Sequence, residues 1–265
     1  MKKLLLSEVC NPQTNILEAI SLINHHVIDD DLVNIEFLAD FVDQITETLA
    51  DIDDSLERAE RLLEFLFIDG VFIEQHKAKT KLEEFKLKQG FEFRKLTPSL
   101  KILVMRHLIR LAGFESDVVY IPDQFMLRII CDDEFAIIID VVSGEALSWV
   151  DLDRRVEADD DGSGAANVSI ISNRSLLLKY LQDLKSTLID VSRFDKALEC
   201  TDIMVALMSE KGAARVAKDG SFPYFSQLDV AFDDVNFYLD KKNKHKEDKL
   251  LKRRLNAEKT QIIIH

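Results

Sequence analysis

The chain has 265 residues, 47% of them hydrophobic, and a formal charge of −14 from 34 basic and 48 acidic side chains. The length exceeds that of a common single domain and leaves room for a core plus an appended unit. The acidity repels phosphate backbones and argues against a general binder of nucleic acid or anionic membrane.

Eight Gly and four Pro are few for this length, which favours long helical stretches over a sandwich of many turns. In the opening MKKLLLSEVCNPQTN the apolar run covers only Leu4 to Leu6, short of the ~7–15 residues of a signal sequence. No stretch approaches the ~18 uninterrupted apolar residues of a membrane span. Cys10, Cys131 and Cys200 are odd in number and far apart, a pattern that fits a reducing compartment and no disulfide framework. The expectation is a cytoplasmic protein.

Three amphipathic helices are readable before residue 90. Residues 15–23 give the shortest. In NIEFLADFVDQITETL, Ile35, Leu38, Val42, Ile45 and Leu49 recur at three- and four-residue steps behind Asn34 as cap, marking one buried face. In DDSLERAERLLEFLF the stripe is Leu56, Ala59, Leu63 and Leu66.

After Gly90 the pattern changes. TPSLKILVMRHLIRLAGF is a punctuated helix: Thr97 caps it, Pro98 opens its first turn and Gly113 stops it. DVVYI, QFMLRII and EFAIII follow, short runs rich in β-branched and aromatic residues that read as strands of a small, largely antiparallel sheet. Trp149, in LSWVDLDRRV, reads first as a packing anchor under that sheet, with ligand stacking as the other role.

EADDDGSGAANVS, 157–169, has charge, Gly, Ser and Asn without periodicity, and marks a boundary. The expected organisation is a helical N-terminal region with a helix-plus-sheet domain over 1–156, an acidic linker over 157–172, and a helical tail over 173–265. The fold class is α+β and mostly helical.

Within the tail, SRFDKALECTDIMVAL (192–207) aligns with SQLDVAFDDVNFYLDK (226–241) at an offset of 34, matching Ser192 with Ser226, Asp195 with Asp229 and Ala197 with Ala231. That offset is the tetratricopeptide period. The first helix of each unit lacks the Trp and Gly of the full pattern, so a plain helical bundle stays open. KKNKHKEDKLLKRR, 241–254, sets eight basic against two acidic residues, a local +6 that leaves −20 on the rest. It reads as a solvated face, or as a docking patch for an acidic partner.

Metal sites have little support, because His25 and His26 are adjacent and His76, His107, His245 and His265 have no ligand partner at useful spacing. Phosphate loops, dinucleotide fingerprints and GxSxG elbows do not occur, and no cofactor is expected.

The helix start TPSLKILVMRHLIRLAGF, then IPDQFMLRI, IIIDVVSGEALS and the closing IIIH, resemble in order and spacing the bacterial SirB-type family, a transglutaminase-like domain followed by tetratricopeptide units. The resemblance implies a papain-like fold with a Cys at a helix N-terminus, a His on one strand and an Asp on the next. In such a site the helix end and imidazole favour thiolate, and the carboxylate orients the imidazole.

Carried over, Ser99 lies at or beside the nucleophile position, Gln124 matches the His and Asp140 the Asp. Gln accepts no proton near neutral pH, and losing general-base help costs about 10²–10⁴-fold in rate. His107 is about 12 Å further along the helix at 1.5 Å per residue, too far to substitute directly. The resemblance therefore implies a degenerate site and no catalytic residues, in a protein that binds a protein or peptide partner. Each residue also has a structural reading: Ser99 as a helix-start residue, Gln124 as a structural amide, Asp140 as the acceptor of a DVVSG turn. A three-residue turn over 132–134 would set Met126 across from Asp140, with Gln124 on the same face; a two-residue turn would separate them.

Overall fold

In a computed structural model of the chain, the described residues are 2–9, 11, 14–70, 80–121, 124–133, 135–148, 150–151 and 169–208. The helices are α1 (Lys2–Val9), α2 (Ile16–Val27), α3 (Ala39–Leu49), α4 (Ser55–Glu64), α5 (Leu87–Glu92), α6 (Pro98–Leu111), α7 (Asn173–Asp190) and α8 (Phe194–Met208). The strands are β1 (Glu115–Ile121), β2 (Gln124–Ile130), β3 (Ala136–Ile139) and β4 (Ser169–Ile170), in the order β3-β2-β1-β4 with every pairing antiparallel. The molecule is thus mostly helical with one small sheet, an α+β arrangement.

Local signals account for most element ends. Asn15 Oδ1 accepts from Leu17 N and Asp54 Oδ1 from Glu57 N, each at a helix start, meeting donors that the first turn leaves unpaired. Asn34 caps as expected, but what it opens is a 3-10 turn, Ile35–Leu38, which leads into α3. The buried face of α4 centres on Ala59 and Leu62 and continues into Phe65 and Leu66. Leu62 is fully buried where Leu63 was expected, with Leu63 half-buried against the same core, and past Glu64 the chain widens into a π-type turn over Phe65–Asp69. Gly70 closes that turn with its N–H on Phe65 O at 2.6 Å; a Cβ there would lie 2.9 Å from Leu66 O.

The sheet has two distinct faces. Val118, Leu127, Ile129 and Ile139 point into a main apolar cluster with Leu100, Leu103 and Val104 of α6. Val119, Met126 and Ile138 form a smaller cluster on the other side, with Leu147 against it. Period-two alternation produces this division. Asp117 and Arg128 stand opposite each other on β1 and β2, with Arg128 Nη2 donating to Asp117 Oδ2 at 2.6 Å.

Helices α7 and α8 join the main cluster through Leu176, Leu177, Leu178, Tyr180, Leu181, Leu184, Leu188, Phe194, Leu198 and Ile203. Residues 173–208 therefore share one core with the helices before the sheet. Of the two aligned segments, 192–207 falls on α8, while 226–241, the basic segment 241–254 and Trp149 lie outside the described residues.

Candidate functional site

Helix α6 carries Ser99, the residue expected at or beside a nucleophile position, near its start. Thr97 Oγ1 accepts from Leu100 N at 3.3 Å, and Pro98 occupies the first helical position, where its missing N–H costs nothing. Ser99 comes next, 8% exposed, its Oγ 3.4 Å from Thr97 Oγ1. The hydroxyl is engaged within the helix start and nearly closed to solvent.

Gln124 is the first residue of β2, paired with Ile121 of β1. Its side chain is not among those described. Asp140 follows β3 directly. Cys131 N donates to Phe135 O at 3.0 Å and Ile130 pairs with Ala136, which is the three-residue connection over 132–134. Continued one step beyond Leu127 and Ile139, this register sets Met126 across from Asp140.

Alternation then puts Asp140 in the row of Met126 and Ile138, while Val141, 2% exposed, returns to the row of Ile139. Ser99 belongs to the helix under one face of the sheet and Asp140 to the row on the other. Asp140 Oδ1 accepts from Val142 N at 2.8 Å, its backbone N–H donates to Glu145 O at 3.0 Å, and its C=O accepts from Gly144 N at 2.7 Å. The carboxylate helps to build a tight turn.

One contact joins the two halves of this region. Lys101, 5% exposed, donates from Nζ to Val142 O at 3.1 Å and lies 5.2 Å from the centroid of the Phe67 ring. Gly144, at φ +78, brings its backbone onto the same ring: a Cβ there would be 2.7 Å from Phe67 carbons. Lys101 carries no signal at the level of sequence, because Ser99 to Met105 are all buried and this stretch of α6 has no solvated stripe against which a buried lysine would stand out.

Among the described residues, the other cysteines and histidines sit elsewhere; Cys10, His76, His245 and His265 lie outside the described residues. Burial pushes the His107 imidazole below its ordinary value, with Arg110 adding to the effect and Glu18 opposing it; these neighbours place it toward α2. Cys131 is half-buried against the main cluster, and burial with Asp132, Glu60 and Asp54 nearby pushes its thiol up. Cys200 is fully buried in α8, its thiol pushed up chiefly by burial. Neither fits an activated thiolate, which needs a lowered pKa and access.

His25 Nδ1 lies 2.8 Å from Asp30 O, whereas His26 Nε2 lies 3.5 Å from Glu199 Oε2 of α8. Among the described residues no three His, Cys, Asp or Glu side chains gather as a metal site would require. None of the described helices is long and apolar enough to cross a membrane. Arg106 is held by burial at a pKa of about 10; its Nε and Arg110 Nη2 both donate to Ser116 O, which ties α6 to β1.

Comparison with known proteins gives two similar curated relatives, the UPF0162 proteins of Xylella fastidiosa strains Temecula1 and 9a5c. Each is 25% identical over 159 residues, covering 58% of this chain and 57% of the relative. The chain thus spans little more than half the length of these relatives. No solved structure matches. Residues 35–182, more than half of the chain and including α6, the sheet and the first half of α7, match the model of the transglutaminase-like superfamily, and the chain belongs to that superfamily.

Proposed function

We propose that this is a non-catalytic transglutaminase-like protein, a cytoplasmic interaction or scaffold factor that binds a protein or peptide. The observation that carries the reading is the state of Ser99: 8% exposed, with its hydroxyl beside that of Thr97 at the start of α6. A nucleophile there needs a base to take its proton. Position 124 supplies an amide in place of an imidazole, and His107 faces α2. Asp140, the one triad residue type retained, supports its own turn through Val142 N.

The binding half of the proposal rests on the likeness to SirB-type proteins and on the 34-residue offset in the tail. A repeat of paired helices presents a continuous surface suited to peptides. The second reading, a weak acyl-transfer or amide hydrolase using Ser99, has in its favour the retained Asp140 and the helix N-terminus at residues 97–99.

The two are separated by treating the full chain with a fluorophosphonate probe and a panel of activated esters and amides. We expect no label on Ser99 and no turnover above buffer. Hydrolysis that disappears in Ser99→Ala would overturn the non-catalytic reading.

A further inference from the structure

Where α6, β1 and α7 meet, positive charge gathers around one backbone carbonyl. The chain returns beside β1 through β4, and Ile171 N donates to Val118 O at 2.8 Å. Continued by two residues, this antiparallel ladder sets Asn173, the first residue of α7, next to Ser116. Arg106 joins the two, with Nε donating to Ser116 O at 3.3 Å and Nη1 to Asn173 Oδ1 at 2.5 Å. Arg110 Nη2, one turn further along α6, donates to the same carbonyl at 2.9 Å.

These cations have no counter-charge on the protein. Among the described residues no carboxylate forms an ion pair with Arg106, Arg110 or Arg174. Glu115 and Asp117 flank Ser116 but lie in the opposite row of the strand, and Asp117 Oδ2 already accepts from Arg128. The first turn of α7 holds no acidic residue, adds Arg174, and presents the positive end of an 18-residue helix. Burial and then Arg110 hold the Arg106 pKa down, against the pull of Asp117.

A hydroxyl without a partner lies in the same corner. Ser116 is 2% exposed and its Oγ makes no hydrogen bond. It shares the row of Val118, which faces the main cluster and α6, and that is the side from which both arginines arrive. A buried hydroxyl left unpaired is costly, as is unpaired like charge.

We infer that Arg106, Arg110, Ser116 and the N-terminus of α7 form a binding site for a phosphoryl group, either free phosphate or a small phosphomonoester. The guanidiniums supply forked donors, Ser116 a hydroxyl, and the helix end backbone N–H groups that its first turn leaves free. The −14 charge of the chain repels a long polyanion, whereas a small anion meets chiefly this local field. The site lies apart from Ser99 and Asp140 and goes beyond the functional reading above.

The test is calorimetric titration of the full chain with inorganic phosphate and with phenyl phosphate, at constant ionic strength set by chloride. The expected result is saturable binding, weakened at least about tenfold by Arg110→Ala, the scale of one lost charged hydrogen bond. Ser116→Ala should also weaken it while leaving the urea midpoint of the ligand-free protein unchanged or higher. Tighter binding of phenyl phosphate would assign the site to a monoester, and equal or weaker binding to free phosphate. No saturable heat with either anion would overturn the inference, as would binding that both variants leave intact. Should Arg110→Ala fail to fold, Asn173→Asp sets a carboxylate against Arg106 from within the chain. It should abolish phosphate binding; undiminished affinity overturns the inference.

Discussion

Tyr180 of α7 and Asn24 of α2, 156 residues apart in sequence, meet in the core: the phenol donates to Asn24 Oδ1, and Asn24 Nδ2 donates to Phe85 O at 2.8 Å. Tyr180 is fully buried and Asn24 1% exposed, so neither amide nor phenol has water as an alternative partner. Tyr180→Phe leaves the Asn24 oxygen short of a donor, and should lower stability by about 1–3 kcal/mol. Urea unfolding should show a lower midpoint with an unchanged slope.

The same phenol makes a prediction at alkaline pH. Burial, the largest cause, raises the Tyr180 pKa well above its usual value near 10. Because the folded pKa is raised, its contribution to stability is complete below about pH 10 and is lost as pH rises above that, where the unfolded chain releases a proton that the folded chain keeps. Wild type should lose stability above pH 10 more steeply than Tyr180→Phe, measured by urea midpoints across that range.

At the acid end His107 acts in the opposite sense. Its pKa is lowered, chiefly by burial, so the stability it carries is present above about pH 6.5 and is lost as pH falls through the folded value. His107→Gln should flatten the decline in the urea midpoint below pH 6.5; a decline identical to wild type would mean that the imidazole is hydrated in the fold.

At the start of α6 the two hydroxyls are expected to differ. Thr97→Ala removes the cap on Leu100 N and should cost about 0.5–2 kcal/mol. Ser99→Ala should cost less, because Ser99 caps nothing and its 3.4 Å contact with Thr97 is long. Thermal unfolding of the two variants checks the order.

A chain ended at residue 172 should not fold. It lacks Leu176, Leu177, Leu178, Tyr180, Leu181, Leu184 and Leu188, all at or below 4% exposed. At about 1.5–3 kcal/mol for each large apolar side chain, the loss is as large as the whole stability of an ordinary domain, about 5–15 kcal/mol. Circular dichroism with a urea titration should show no cooperative transition.

These predictions mark how far the sequence could be read. Helix α6 was legible because Thr97, Pro98 and Gly113 each act within one turn of where they stand, and Gly113 does adopt φ +92. Strand β2 was legible over its described length because QFMLRII has no competing period. Helix α2 runs to Val27, past the expected end at residue 23, since its last turn is stabilised from outside: Lys196 of α8 donates to His26 O at 3.0 Å.

Of the candidate site, the positions of Ser99 and Asp140 were legible as ends of elements. Their separation onto different faces was not, because it depends on the register past Ile139. Lys101 was hidden by its apolar neighbours. Its meaning comes from Phe67 and Val142, 34 and 41 residues away along the chain.

The bracing of α2 by α8 also has a consequence for biosynthesis. Lys196 meets His26 O across 170 residues and Asp29 at 3.7 Å, and Arg193 donates to Asp29 at 3.1 Å. At about 5–20 residues per second of translation, the end of α2 waits roughly 10–30 s on the ribosome before these partners emerge. During that interval the apolar side of α2, with Leu17, Ile20 and Ile23, lacks the helices that cover it in the finished protein. The closure of α2 against α8 therefore comes when α8 clears the exit tunnel.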